Sequence, residues 1–153
     1  MPPESATTKC AAGTLRRASR SIARLYDGHL ARAGLTTTQF SLLTQLERHG
    51  QPVPLSQLAE EQVFERTSLY RALAPLEREG LVRVTAARGR TKQAALTARG
   101  VRRVAVARQH WQSAQDAFLA QFGRSAWNTL ATQLGDIIEA ARAIPSASGA
   151  HSE

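Results

Sequence analysis

The sequence predicts a mainly α-helical α+β fold with one small β-hairpin, and three observations point to it. Apolar residues recur three or four positions apart in several separate stretches, as they do on one face of a helix. A single stretch after Gly80 changes to shorter, strand-like spacing and is interrupted by a polar, glycine-containing turn. The chain has 153 residues and a 42% apolar share, enough for one sizeable core but not for two full domains.

The same figures exclude whole classes. The apolar share is too high for a disordered chain. No apolar run approaches the roughly 18 residues that would span a bilayer, and the N-terminus carries Glu4 and no continuous hydrophobic stretch. A soluble, unexported, cytoplasmic protein without membrane partners is expected. Cys10 is the single cysteine, so neither an intramolecular disulfide nor a zinc cluster is available.

Taken in order, the first helix follows from Leu15, Ala18, Ile22, Leu25 and His29 or Leu30, with Gly34 as its stop. Thr36 to Thr38 offer caps for a second helix that buries Phe40, Leu43 and Leu46 and ends at Gly50. Gln51-Pro52-Val53-Pro54 cannot be helical, because the prolines lack an N–H and push their predecessors into extended geometry. Ser56 then caps a short third helix through Leu58, Ala59 and Gln62, and Val63 to Glu65 make a turn. A fourth helix, Arg66 to Glu79, carries Leu69, Leu73 and Leu76 inward and should bend at Pro75. Leu81, Val82 and Val84, then Ala94 and Leu96, form two strands around the basic turn from Ala87 to Lys92. The fifth helix starts near Thr97 or Ala98 and carries Val101, Val104, Ala105, Trp111, Ala114, Phe118 and Phe122. The sixth follows Gly123 with Trp127, Leu130, Leu134, Ile137 and Ala141. Residues 1–8 and 145–153 are small and polar and should fray.

Charge is distributed unevenly along these elements. Residues 1–65 hold 7 basic and 6 acidic side chains, residues 66–108 hold 11 and 2, and residues 109–153 hold 2 and 4. The middle segment therefore carries the whole excess of the +8 net charge. Genomic codon bias accounts for the preference of Arg over Lys, but not for the clustering. A surface that neutralises phosphates accounts for both the sign and the place.

Two short helices joined by a tight turn and followed by a basic hairpin describe a winged helix-turn-helix, whose second helix enters the major groove. The residues expected to face double-stranded DNA are Arg66, Thr67, Ser68, Tyr70 and Arg71 on that helix, with Leu69 turned inward. Arginine forks onto guanine, hydroxyls serve phosphates or base edges, and the helix N-terminus presents free N–H groups. Arg88, Arg90 and Lys92 on the hairpin are placed to reach the adjacent minor groove or its backbone. Thr38 and Ser56, at the starts of the second and third helices, complete the candidate contact set.

On these residues the sequence resembles the MarR family of bacterial transcriptional regulators over about residues 13–142. The likeness is carried by Gly34-Leu35-Thr36-Thr37-Thr38-Gln39-Phe40, by Leu55-Ser56-Gln57-Leu58-Ala59, and by Arg66-Thr67-Ser68-Leu69 through Leu76-Glu77-Arg78-Glu79-Gly80-Leu81-Val82. Arg90 and Leu96-Thr97-Ala98-Arg99-Gly100 continue it. Many relatives have an acidic residue two positions before the wing arginine, where it can hold that arginine in place; here Arg88 stands there, which implies a looser wing or simply a more basic one. The resemblance implies a winged DNA-binding lobe over 34–98 and a helical dimerisation lobe from 10–33 and 99–143. It also implies a homodimeric repressor on a palindromic operator, with half-sites roughly 10 bp apart.

The family further implies a small aromatic or phenolic effector in a cleft beside the winged lobe, for which Arg16, Tyr26, His29, His110 and Trp111 are the candidates. Some relatives place a reactive cysteine near the start of the first helix, so Cys10 is a candidate redox sensor. The neighbouring Lys9 and the helix N-terminus would both favour its thiolate. An enzyme is not expected: His29, His49, His110 and His151 lack metal-ligand spacing, and there is no phosphate loop or serine elbow. No metal or cofactor is implied. A winged domain serving only as a protein-interaction adaptor is the remaining rival, and it requires the basic face to be incidental.

Overall fold

The computed structural model describes residues 9–89 and 91–145, so the expected fraying of residues 1–8 and 146–153, and the wing residue Arg90, lie outside the described residues. Backbone contacts divide the chain into two compact units, one up to Ala114 and one from Gln115.

Helix α1 spans Ala11–Leu30 and passes through a 3-10 turn, Ala31–Ala33, to Gly34. It starts four residues before the apolar periodicity does, because Ala11 and Ala12 favour helix without needing a buried face. Helix α2, Thr37–His49, begins in a reciprocal capping box: the Gln39 N–H donates to the Thr36 hydroxyl, and the Thr36 N–H donates to the Gln39 side chain. The carboxylate of Asp27 adds a tie across elements, accepting both the N–H and the hydroxyl of Thr37 at 2.6 Å each. It therefore fixes the start of α2 against α1, where a negative charge also suits the helix dipole.

The extended connector is more than a connector. Val53–Pro54 forms strand β1 and pairs antiparallel with β3, so the sheet has three strands in the order β1-β3-β2 rather than two. Two residues are too few to show an alternating pattern, which is why only their inability to be helical was legible. Helix α3, Leu55–Glu61, takes Pro54 and not Ser56 as its N-cap. The fixed φ of the proline carries the strand directly into the first turn, leaving Ser56 exposed within that turn. Helix α4, Arg66–Arg78, runs unbroken through Pro75, and the Glu79 N–H donates to the Pro75 carbonyl at 3.0 Å. Strands β2, Val82–Ala86, and β3, Lys92–Leu96, pair from Val82 with Leu96 to Ala86 with Lys92. Lys92 thus belongs to the strand and not to the polar turn.

Helix α5 spans Ala98–Phe122. The Thr97 hydroxyl accepts from the Gly100 N–H at 3.0 Å and donates to the Gly80 carbonyl at 2.7 Å, capping α5 while tying it to the end of α4. Gly100 itself is buried, and a Cβ there would lie 2.2 Å from the Leu81 carbonyl oxygen and 2.5 Å from Leu96 Cδ1. Only a residue without a side chain lets α5 approach the base of the hairpin this closely.

The core of the first unit joins Leu30, Leu42, Leu43, Leu46, Leu58, Leu69, Leu73 and Leu76 to Val53, Leu81 and Val104, all essentially inaccessible. Trp111 on α5 stacks on Phe40 of α2 with centroids 6.2 Å apart. In the second unit, Phe118 stacks on Phe122 and meets the edge of Trp127 on helix α6, Arg124–Ala143. α6 buries none of its residues, and Ile137 and Ile138 are more than 40% exposed. No described helix is long and apolar enough to cross a membrane.

Candidate nucleic-acid interface

The joint between α3 and α4 determines what α4 can present. Val63 adopts φ +54°, a left-handed conformation that strains a β-branched residue. Around it the Phe64 N–H donates to the Ala59 carbonyl at 2.8 Å and the Val63 N–H to the Glu60 carbonyl at 3.2 Å. This pair of bonds is the Schellman closure, which satisfies the last carbonyls of α3 and redirects the chain into α4 within a few residues.

At its start α4 has no side-chain cap and no acidic residue in its first turn. Its leading N–H groups therefore have no intramolecular acceptor from a cap and suit an incoming anion. Leu69, Leu73 and Leu76 are buried, which fixes the helix's rotation about its axis. Arg66, Thr67, Ser68, Tyr70 and Arg71 are consequently exposed together, as the sequence predicts for a reading surface.

The wing is tied to this helix. Lys92 Nζ lies 5.7 Å from the centroid of the Tyr70 ring, a cation–π contact that joins the start of β3 to the outer face of α4. Sequence reasoning named both residues but not their contact, since they are far apart in the chain. The wing turn closes through the Ala87 N–H on the Thr91 carbonyl and the Thr91 hydroxyl on the Arg88 carbonyl, both at 2.8 Å, and leaves Arg88 exposed. Thr38 lines a concavity of about 310 Å³ together with Ser41, Gln62 and Phe64, beside the α3–α4 joint. Ser56 makes no hydrogen bond through its hydroxyl among the described residues and faces solvent.

A polar hub braces the first helix of the pair. Glu61, at the end of α3, accepts from His49 and Gln45 of α2 and from Gln57 of α3. The His49 hydrogen bond, followed by those of the two glutamines, pulls its carboxyl down from the usual range to about 2. A carboxyl whose folded-state pKa is depressed contributes stability above its unfolded pKa and loses it as pH falls toward the folded value. The difference in thermal midpoint between the parent and Glu61→Gln is therefore expected to be fully present near pH 6 and to shrink between about pH 5 and pH 3. Thermal melts across that range check this, and a constant difference would contradict it.

The remaining candidates differ in exposure. Tyr26 is buried in the core, where burial raises its pKa. Trp111 packs on Phe40, His29 and His110 are half-buried, and Arg16 is exposed on α1. Cys10 is exposed at the N-cap of α1, its carbonyl accepting from the Thr14 N–H. The basic residues of the middle segment do not all reach one face. Arg108 pairs with Glu47 of α2, and Arg103 pairs with Glu79 at the far end of α4. Charge counting along the chain could not separate these from the arginines near the α4 tip. No group of three or more His, Cys, Asp or Glu among the described residues is arranged to hold a metal.

Comparison with known proteins follows the same lines. The sequence profile of the MarR family matches residues 33–93. The M. tuberculosis transcriptional regulator MosR, solved in complex with DNA, is 36% identical, covering 88% of this chain and 98% of that one, with a TM-score of 0.79. CouR from Rhodococcus jostii, solved bound to p-coumaroyl-CoA, is 20% identical, covering 84% of this chain and 91% of that one, with a TM-score of 0.73. A cysteine-to-serine mutant of E. coli MarR, solved with operator DNA, is 17% identical, covering 82% of this chain and 91% of that one, with a TM-score of 0.72. The last two show the shared fold. No curated protein sequence matches the chain.

Proposed function

The chain belongs to the MarR family of transcriptional regulators, and on that premise we propose that it works as a homodimer that binds a palindromic operator, represses by occluding a promoter, and is released by a small-molecule ligand. The observation that carries the DNA-binding part is the exposed set Arg66, Thr67, Ser68, Tyr70 and Arg71, held outward by the burial of Leu69 and flanked by the basic wing. Homodimerisation is supported by α6, whose apolar positions Ile137 and Ile138 face water in the single chain and would be removed from it by a second copy.

Each chain would place the start of α4 in a major groove, with Arg71 forking onto a base edge and Arg66, Ser68 and the free N–H groups on phosphates. The wing would track the neighbouring backbone through Arg88 and Lys92. The test is to select bound fragments from the source genome, then measure affinity for the selected duplex across a salt series while recording the particle mass. A mass of two chains and a steep fall of affinity with salt, with a log-log slope of about −0.9 per phosphate neutralised, are expected. A chain that binds no duplex at any salt would point to the adaptor role instead. Arg88→Ala should weaken all duplexes alike and flatten the slope by about one; an unchanged slope would take Arg88 off the backbone.

A further inference from the structure

We infer that Arg32, Arg99, Arg102 and Arg103 form a binding site for a phosphorylated small molecule, distinct from the DNA-facing surface. The four guanidinium-bearing residues, with Gly34 and Val106, line an open concavity of about 480 Å³ where the 3-10 turn after α1 meets the start of α5. Arg99, Arg102 and Arg103 stand three and four residues apart, so they share one face of α5.

Two features make this cluster unfavourable for the protein alone. Like charges at that spacing repel one another. They also occupy the first turns of α5, where the aligned peptide dipoles already present positive charge and where no acidic residue stands in the first turn. Among the described residues Arg32, Arg99 and Arg102 make no ion pair or hydrogen bond through their side chains. Only Arg103 is held: its Nη1 donates to the Ala33 carbonyl at 3.2 Å and to Glu79 at 3.3 Å. Gly34 leaves room for that guanidinium, since a Cβ at Gly34 would come within 3.3 Å of Nη1. Arg103 is therefore pre-positioned at the concavity, which the three unpaired arginines also line. A group carrying several negative oxygens would satisfy all four, and Ala33 and Val106 give its organic part an apolar wall.

The concavity is not an extension of the DNA-reading tip. Glu79, the partner of Arg103, is the C-cap of α4, while the free N–H groups and Arg66 lie at the other end of that 13-residue helix, a length of roughly 20 Å. The link from Arg103 to Glu79 gives a bound anion a direct connection to the reading helix. In that regulatory sense the inference rests on the regulator reading above and names the class of its ligand, although the binding itself does not depend on it.

The test is calorimetric titration of the full chain with pyrophosphate at constant ionic strength, alongside duplex binding by the same variants. One pyrophosphate per chain is expected for the parent. Arg99→Ala and Arg102→Ala should each weaken it by about tenfold or more while leaving duplex affinity unchanged, and Arg71→Ala should leave pyrophosphate binding unchanged. Loss of pyrophosphate binding in Arg71→Ala with retention in Arg99→Ala and Arg102→Ala would assign the anion to the DNA face and overturn the inference. So would a parent that binds no pyrophosphate, or Arg99→Ala and Arg102→Ala variants that lose duplex affinity instead. If the parent binds pyrophosphate at the arginines but binds no duplex, the regulator reading falls and the anion site stands.

Discussion

Gly100→Ala is expected to cost about 2 kcal/mol or more of folding stability, at the upper part of the range for forcing extra volume into a packed core. The added methyl would lie 2.2 Å from the Leu81 carbonyl oxygen, a backbone atom that cannot rotate away. The same oxygen accepts from the Thr97 N–H at 3.1 Å, so moving it disturbs the cap of α5 as well. Alanine's better helix propensity returns only about 1 kcal/mol. Gly28→Ala in α1 is the control, since nothing lies within 4 Å of a Cβ there; it should be neutral or stabilising by a few tenths to about 1 kcal/mol. Thermal melts of both variants decide the matter. A drop of roughly 4–8 °C is expected for Gly100→Ala alone, and similar small shifts for both would show that α5 and the hairpin can separate without loss.

Arg71→Ala is expected to reduce operator affinity by about 1–3 kcal/mol and to flatten the preference among single-base variants of the operator. Thr67 and Arg71 are one helical turn apart, and with Leu69 and Leu73 buried beneath them they project from the same exposed side of α4. Arg71 makes no ion pair among the described residues, so its guanidinium is available to fork onto a guanine edge. Arg71→Lys keeps the charge but not the fork, and should retain phosphate-level attraction while losing most base discrimination. Affinities measured against the selected operator and its one-base variants distinguish these roles. An Arg71→Ala protein with undiminished discrimination would move base reading to Thr67 or Tyr70.

Much of this was legible in the sequence because it rests on local rules. The six helices follow from apolar spacing, the stops at Gly34, Gly50 and Gly80 from turn chemistry, and the outward set on α4 from the single inward Leu69. What was not legible depends on contacts between distant residues. Strand β1 exists only because Val53 finds Ala94, and the grip of Lys92 on Tyr70 needs the hairpin folded back toward α4. The clamp of Asp27 on Thr37 needs α1 and α2 already side by side. Ser56 looked like a cap because serine is a good one, yet the pairing of β1 placed a proline at that position first. The charge excess was visible as a number, but its division between the α4 tip and the Gly34 concavity belongs to the folded chain.

Strand β1 also bears on how the folded protein behaves when it is concentrated. A sheet edge with free N–H and C=O groups invites the edge of another molecule and can seed fibrous aggregates. Here the outer strand is two residues long, and the second, Pro54, has no N–H to offer. At the opposite margin β2 carries Arg83 on its exposed side, a charge that a stacked neighbour would have to accommodate. Both borders of the sheet therefore discourage strand-by-strand growth, which favours a protein that stays dispersed at high concentration.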